Sequence, residues 1–225
     1  MSNQDSPKNV FSLLRELPEN KNLPHDSALV AASLGVVTGL PITDMVQIMD
    51  EQPTGRRLDR LLRSLVNGDI NHPLWTDSAK ARLSASISLH LLAAKEPLRQ
   101  PLPSYEWHLF ESYVVAELSG RSRETFVALF LDTQYRLISN EVLFMGSVDS
   151  APVYTRVVAS RALVNHASFV VVAHNHPSGV LTPSHSDVAV TQKLSKALML
   201  LDIRLLDHLI AAEGRCVSLR NLGFV

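Results

Sequence analysis

The chain has 225 residues, a mass of 24.8 kDa, 46% hydrophobic and 19% charged residues. That is room for one or two ordinary cores and excludes a predominantly disordered chain. A formal net charge of −1 and an isoelectric point near 6.8 lack the basic excess of a dedicated nucleic-acid binder; residues 1–100 carry eleven basic and eleven acidic side chains.

The opening "MSNQDSPKNV" is polar and has no apolar core of a cleavable signal. From there to about residue 95 the pattern is helical, with apolar positions three and four apart in "NVFSLLREL", "ITDMVQIMD", "LDRLLRSLV" and "AKARLSASISLHLLAA". Asn20, Asp26, Thr43 and Asp77 stand where helix caps belong. The most apolar early stretch, "ALVAASLGVVTGLPI", is broken by Ser33, Gly35, Thr38, Gly39 and Pro41. It falls short of the roughly 20 apolar residues of a membrane span, so it reads as a core helix and no membrane association is expected. The basic cluster "RRLDRLLR" sets Arg56, Arg60 and Arg63 against leucines, as on the solvated face of an amphipathic helix.

Pro97, Pro101 and Pro103 then forbid a continuing helix and stiffen a connector. The sequence thus divides into a small all-helical domain at 1–95, a proline-rich linker at 96–104 and an α/β domain at 105–225. Within the last, "SYEWHLFESYVVAELSG" predicts a helix, and "ETFVALFLD" and "LISNEVLFMGSV" predict strands. A helix over "SAPVYTRVVASRALVNHA" and a strand over "SFVVVAHN" follow, then a helix over "SHSDVAVTQKLSKALMLLD" and two strand-like runs around the turn "EGR". Cys216, the single cysteine, falls in the last run as a small hydrophobe; alone it closes no internal disulfide, which fits a reducing, cytoplasmic setting.

The chemistry concentrates in "AHNHPSGVLTPSHSD", residues 173–187. His174 and His176 sit two apart at a strand end, and period two sends both to one face, as a shared ion requires. Pro177 and Gly179 stop the strand and leave the pair at its carboxyl end. Asp187 follows in the first turn of the next helix. Two imidazoles and a carboxylate form a credible zinc set with a fourth position left for water, and zinc would bring that water's pKa toward neutrality and polarise a carbonyl. "SHSD" also has the spacing of a capping box, Ser184 as cap and Asp187 returning to the backbone; the two roles are compatible. His185 reads as exposed.

The string HxHP, six residues, then SxxD resembles the JAMM motif of the JAB/MPN metalloprotease superfamily. "HNHPSG" with "TPSHSD", within a match running from about Leu102 to Val225, looks like its RadC branch (UPF0758 type). The resemblance implies a cytidine-deaminase-like, JAB-type α-β-α fold, one zinc per chain on His174, His176 and Asp187, and hydrolysis of a peptide or isopeptide bond in an unidentified peptide or protein substrate. It also implies Glu124, opening "ETFVALFLD", as general base and Ser184 as the serine that steadies the oxyanion. Glu141 is a rival carboxylate in mid-strand. His208, with Asp207 as a possible orienting carboxylate, is typical of the RadC pattern and is expected beside the ligands. Asp149 and Tyr154 are candidate substrate contacts.

RadC-like chains commonly begin with a helix-hairpin-helix module whose GxG turn meets phosphate. Here the corresponding "NGDINHPLWTDS" holds Gly68 and no second glycine two residues on, so the N-terminal domain is expected to be a degenerate version. DNA binding, the second functional reading, has no support from charge. A non-catalytic zinc-binding scaffold is the third. The letters "HNH" do not fit the HNH nucleases, whose three residues are spread along a hairpin and helix.

Overall fold

A computed structural model of the chain describes residues 10, 13, 25–51, 61, 64, 72–103, 106–146 and 153–225. The expected cap Asn20, the arginines of the "RRLDRLLR" cluster, Gly68 and Asp149 lie outside the described residues. Backbone contacts group the chain into two compact units, Met1–His90 and Leu91–Val225.

In the first unit the described regular structure is helical: α1 (His25–Thr38), α2 (Ile42–Asp50) and α3 (Asp77–Lys95), the last running on past His90. Ile42, Met45, Val46 and Met49 turn one face of α2 into a core shared with Ala31 and Leu34 of α1 and Ala79 and Leu83 of α3, the three-and-four spacing read from the sequence. Three caps fall elsewhere than expected, Asp26 lying inside α1. Thr43 lies inside α2, whose N-cap is Pro41 with no side-chain cap bond. Asp77 lies inside α3, because the Thr76 hydroxyl reaches the Ala79 amide at 3.1 Å and takes the capping role one residue earlier. No described helix is long and apolar enough to cross a membrane.

The second unit is mixed α/β. A 3₁₀ turn at Pro97–Arg99 precedes α4 (His108–Leu118), β1 (Glu124–Leu131), β2 (Leu137–Gly146), α5 (Thr155–Val164), β3 (Phe169–Asn175), α6 (His185–Met199), β4 (Arg204–Ala212) and β5 (Arg215–Ser218). The sheet order is β2-β1-β3-β4-β5. Only β3 and β4 run parallel, with α6 as their crossover; the other pairs are antiparallel. Both faces are covered, which explains why "FVALFL" and "FVVVA" are near-continuous apolar runs. Val127, Leu129, Val171 and Ala173 pack with Phe110 and Val114 of α4. Ala128, Phe130, Val170 and Val172 pack with Val158 of α5 and Leu194 of α6.

Two irregularities matter downstream. Val170 pairs with Leu205 but Val171 with Asp207, so β4 carries one extra residue, Leu206. This bulge shifts the parity of the strand and turns His208, partner of Val172, to the α6 side. The β4–β5 hairpin closes through Glu213 and Gly214 at φ 53° and 73°, the two left-handed positions of a two-residue hairpin turn. A Cβ on Gly214 would meet nothing within 4 Å, so Gly214→Ala isolates the conformational cost. It should lower stability by about 1–2 kcal/mol in urea unfolding, and an unchanged midpoint would contradict this turn geometry.

Candidate metal centre

His174, the last residue but one of β3, is 1% exposed, and His176 follows one residue beyond the strand. The His176 amide still bonds the Ala211 carbonyl at 2.9 Å, which extends the β3–β4 pairing to this residue. Both rings therefore keep the strand's alternation and turn to one face, their Nε2 atoms 2.9 Å apart. The turn His176–Gly179, with Gly179 at φ 85°, brings the Val180 carbonyl to 2.6 Å from His176 Nδ1. A carbonyl only accepts, so Nδ1 of His176 carries a hydrogen, and in the neutral ring Nε2 presents a lone pair.

Asp187 enters from α6. The helix starts in a capping box: Ser184 Oγ accepts from the Asp187 amide at 3.1 Å, and Asp187 Oδ2 accepts from the Ser184 amide at 2.7 Å and hydroxyl at 2.6 Å. That bonding orients the carboxylate, with Oδ1 3.2 Å from His174 Nε2 and Oδ2 3.6 Å from His176 Nε2. The capping bonds leave Oδ1 of Asp187 facing His174.

The three closest approaches, 2.9, 3.2 and 3.6 Å, bracket the separation of about 3.3 Å between donors on a tetrahedral ion with bonds near 2.0–2.1 Å. Among the described residues this is the group of histidine, cysteine and acidic side chains able to hold a metal ion. Two imidazole Nε2 atoms and a carboxylate facing one another fit a divalent cation.

The electrostatics agree. Burial works against ionisation of Asp187, but the adjoining His174 and His176 rings and the Ser184 hydroxyl outweigh it and hold the carboxyl far below its usual range. The Asp187 hydrogen bond raises His176 against the opposing effect of burial, and the Glu124 charge adds to the rise. Full burial pushes His208 well below its usual value, which favours the neutral ring.

Glu124 opens β1, two residues before Phe126, which pairs directly with His174. Alternation therefore puts Glu124, Phe126 and His174 on one face of the sheet. The Phe126 ring lies parallel to His174 at 6.3 Å and edge-on to His208 at 5.7 Å, an apolar floor under both imidazoles. Glu141 is held elsewhere: Arg161 binds it at 2.5 and 2.7 Å and the Asn165 amide at 2.9 Å. This pairing lowers its pKa, the Arg161 hydrogen bond leading.

His208 lies beside His174, its Nε2 2.8 Å from His174 Nδ1. Asp207 does not orient that ring. It faces the opposite side of β4 and accepts from the Ser218 hydroxyl at 2.6 Å and the amides of His208 and Arg220 at 2.7 and 3.0 Å. Past the bulge the strand alternates, so Asp207 and His208 face opposite sides. The ring's second partner is Thr191, whose Oγ1 is 2.6 Å from His208 Nδ1. Thr191 has a sequence signal, four residues after Asp187 and so on the same face of the helix. His185 is exposed, as expected, and Tyr154 is 49% exposed beneath Arg156. Cys216 is half-buried in β5, where burial pushes its thiol up to about 11.

The sequence pattern of the RadC-like JAB domain matches residues 105–224, a stretch that contains every residue of this centre. The chain belongs to the RadC-like JAB domain family. The UPF0758 protein of Cellvibrio japonicus strain Ueda107 is 48% identical over 118 residues, 52% of this chain and 53% of that protein. The UPF0758 protein of Alcanivorax borkumensis is 44% identical over 146 residues, 65% of each chain, and that of Ectopseudomonas mendocina strain ymp 40% over 168 residues, 73% of this chain and 75% of its own length. The chain thus spans about half to two thirds of the length of the first of these relatives.

Asn175, between the two histidines, was not singled out in the sequence. It is 5% exposed and points to the other face, where its Oδ1 accepts from the Thr125 amide at 2.8 Å and its Nδ2 donates to the carbonyls of Arg121 and Arg123. It clamps the segment that carries Glu124. Asn175→Ala strands these buried backbone groups and should lower stability by about 1–3 kcal/mol in denaturant unfolding. A variant as stable as the wild type would show that the amide is no anchor.

Proposed function

We propose that the chain is a zinc-dependent amide-bond hydrolase, a metallopeptidase or isopeptidase, acting on an unidentified peptide or protein substrate. His174, His176 and Asp187 would hold one zinc ion per chain. The observation that carries this reading is the set of two imidazole Nε2 atoms and a carboxylate facing one another at ligand spacing; membership of the family supports it.

Zinc bound there supplies Lewis acidity, making water a nucleophile near neutral pH and polarising the scissile carbonyl. The rest of the work falls to the chain. Glu124, on the histidine face of β1, takes a proton from the attacking water at its carboxylate and passes it to the leaving amine. Ser184 turns its hydroxyl from Asp187 to the developing oxyanion, a shift that leaves Asp187 still held by the Ser184 amide. Phe126 keeps bulk water from the inner side of the rings. No observation favours a DNA-binding reading, since the basic excess is missing.

Metal analysis of purified protein should give close to one zinc per chain for the wild type and none for His176→Ala. Glu124→Gln should keep its zinc and lose about 10²–10⁴-fold in cleavage of a library of peptide and isopeptide bonds. Absence of metal from the wild type after zinc is supplied would end this reading. Protons compete with zinc for the same lone pairs, and the raised pKa of His176 moves that competition to higher pH than for an isolated histidine. Zinc affinity measured by chelator competition should therefore fall as pH drops through this raised value, and an affinity flat with pH would contradict the histidine ligands.

A further inference from the structure

Resting on the metal reading above, we propose that Thr191 and His208 are positioning residues that fix the tautomer of His174, so that its Nε2 lone pair is always the one offered to the ion. The assignment follows from the far end of a chain of hydrogen bonds. Thr191 Oγ1 is 2.6 Å from the Asp187 backbone carbonyl, which has no hydrogen to give, so the hydroxyl donates there. A hydroxyl has one hydrogen. At its 2.6 Å contact with His208 Nδ1 the oxygen must accept, and Nδ1 is the donor. His208 is 1% exposed and among the described residues its ring nitrogens meet only Thr191 and His174, with no carboxylate against them. The ring therefore carries the single Nδ1 hydrogen, Nε2 is bare, and the 2.8 Å contact requires His174 Nδ1 to donate. All three hydrogens point the same way, from His174 through His208 and Thr191 to Asp187.

The chain also closes on itself. It begins on the first ligand and ends on the backbone of the third, whose carboxylate lies 3.2 Å from His174 Nε2. The spacing of two ligands on different elements, β3 and α6, is thereby tied through a buried side chain of β4. Thr191 and His208 are 0% and 1% exposed, so water does not replace either partner. The β4 bulge that turns His208 to this side is part of the same device. Without the relay His174 could carry its hydrogen on Nε2 and close the site to a cation.

The test reads the ring hydrogens directly. Two-bond ¹⁵N–¹H correlation spectra of metal-free, full-length protein at neutral to mildly basic pH should show His174 protonated at Nδ1. In His208→Leu the signature should be lost and zinc affinity, from chelator competition, should drop about 10–100-fold. His208→Gln, whose amide oxygen can accept from His174 while its NH₂ donates to Thr191, should restore both. Thr191→Val keeps the shape and should weaken both in the same direction, which covers the case in which His208→Leu does not fold. A wild-type His174 protonated at Nε2, or a His208→Leu or Thr191→Val protein with unchanged tautomer and zinc affinity, would overturn the proposal. If His174 shows the Nδ1 hydrogen and its loss in the variants, but zinc does not bind the wild type, the relay stands and the hydrolase reading falls.

Discussion

Two imidazole nitrogens that aim their lone pairs into one small space repel each other unless a cation lies between them. His174 and His176 set their Nε2 atoms 2.9 Å apart, His176 Nδ1 is committed to the Val180 carbonyl, and the Asp187 carboxylate beside the rings adds negative charge. Much of the local structure holds this unfavourable arrangement in place. The parallel pairing carried on through His176 sets the two rings on one face, the capping box aims the carboxylate, and the Gly179 turn locks the outer ring. The spacing of the three donor atoms fits a metal ion.

The sheet serves the centre from both of its faces. On the ligand side Phe126 floors the rings and His208 stands behind them. On the other side Asn175 and Asp207, each next in sequence to a histidine of the site, satisfy backbone groups that would otherwise lack partners at the sheet's end. Alternation lets "HNH" and "DH" do two jobs each: one residue faces the chemistry, its neighbour fastens the strands that carry it.

The legible part of the site was the part governed by short-range rules. Period two placed His174 and His176 together, SxxD spacing gave the capping box, and the apolar runs gave the strands. Most of what escaped depends on contacts between residues far apart in the chain. The partner of Glu141, Arg161, is twenty residues away, and the orientation of His208 depends on a one-residue bulge with no marker in "RLLDHLIAA". Asp207 is a different case, since alternation alone turns it away from the His208 ring. Thr191 was recoverable from its spacing to Asp187, whereas the clamp on β1 by Asn175 reaches across fifty residues. Caps missed by a residue or two, Thr76 for Asp77 and Pro41 for Thr43, reflect hydroxyl reach and a proline's fixed φ rather than a misjudged helix.

The central claim is a ligand set of two imidazoles and one carboxylate. X-ray absorption at the zinc edge on zinc-loaded protein addresses it directly. The account predicts two imidazole nitrogens at about 2.0–2.1 Å, the remaining positions filled by oxygen at about 2.0–2.2 Å, and no sulfur. A shell with fewer than two imidazoles, or one containing sulfur at about 2.3 Å, would contradict it.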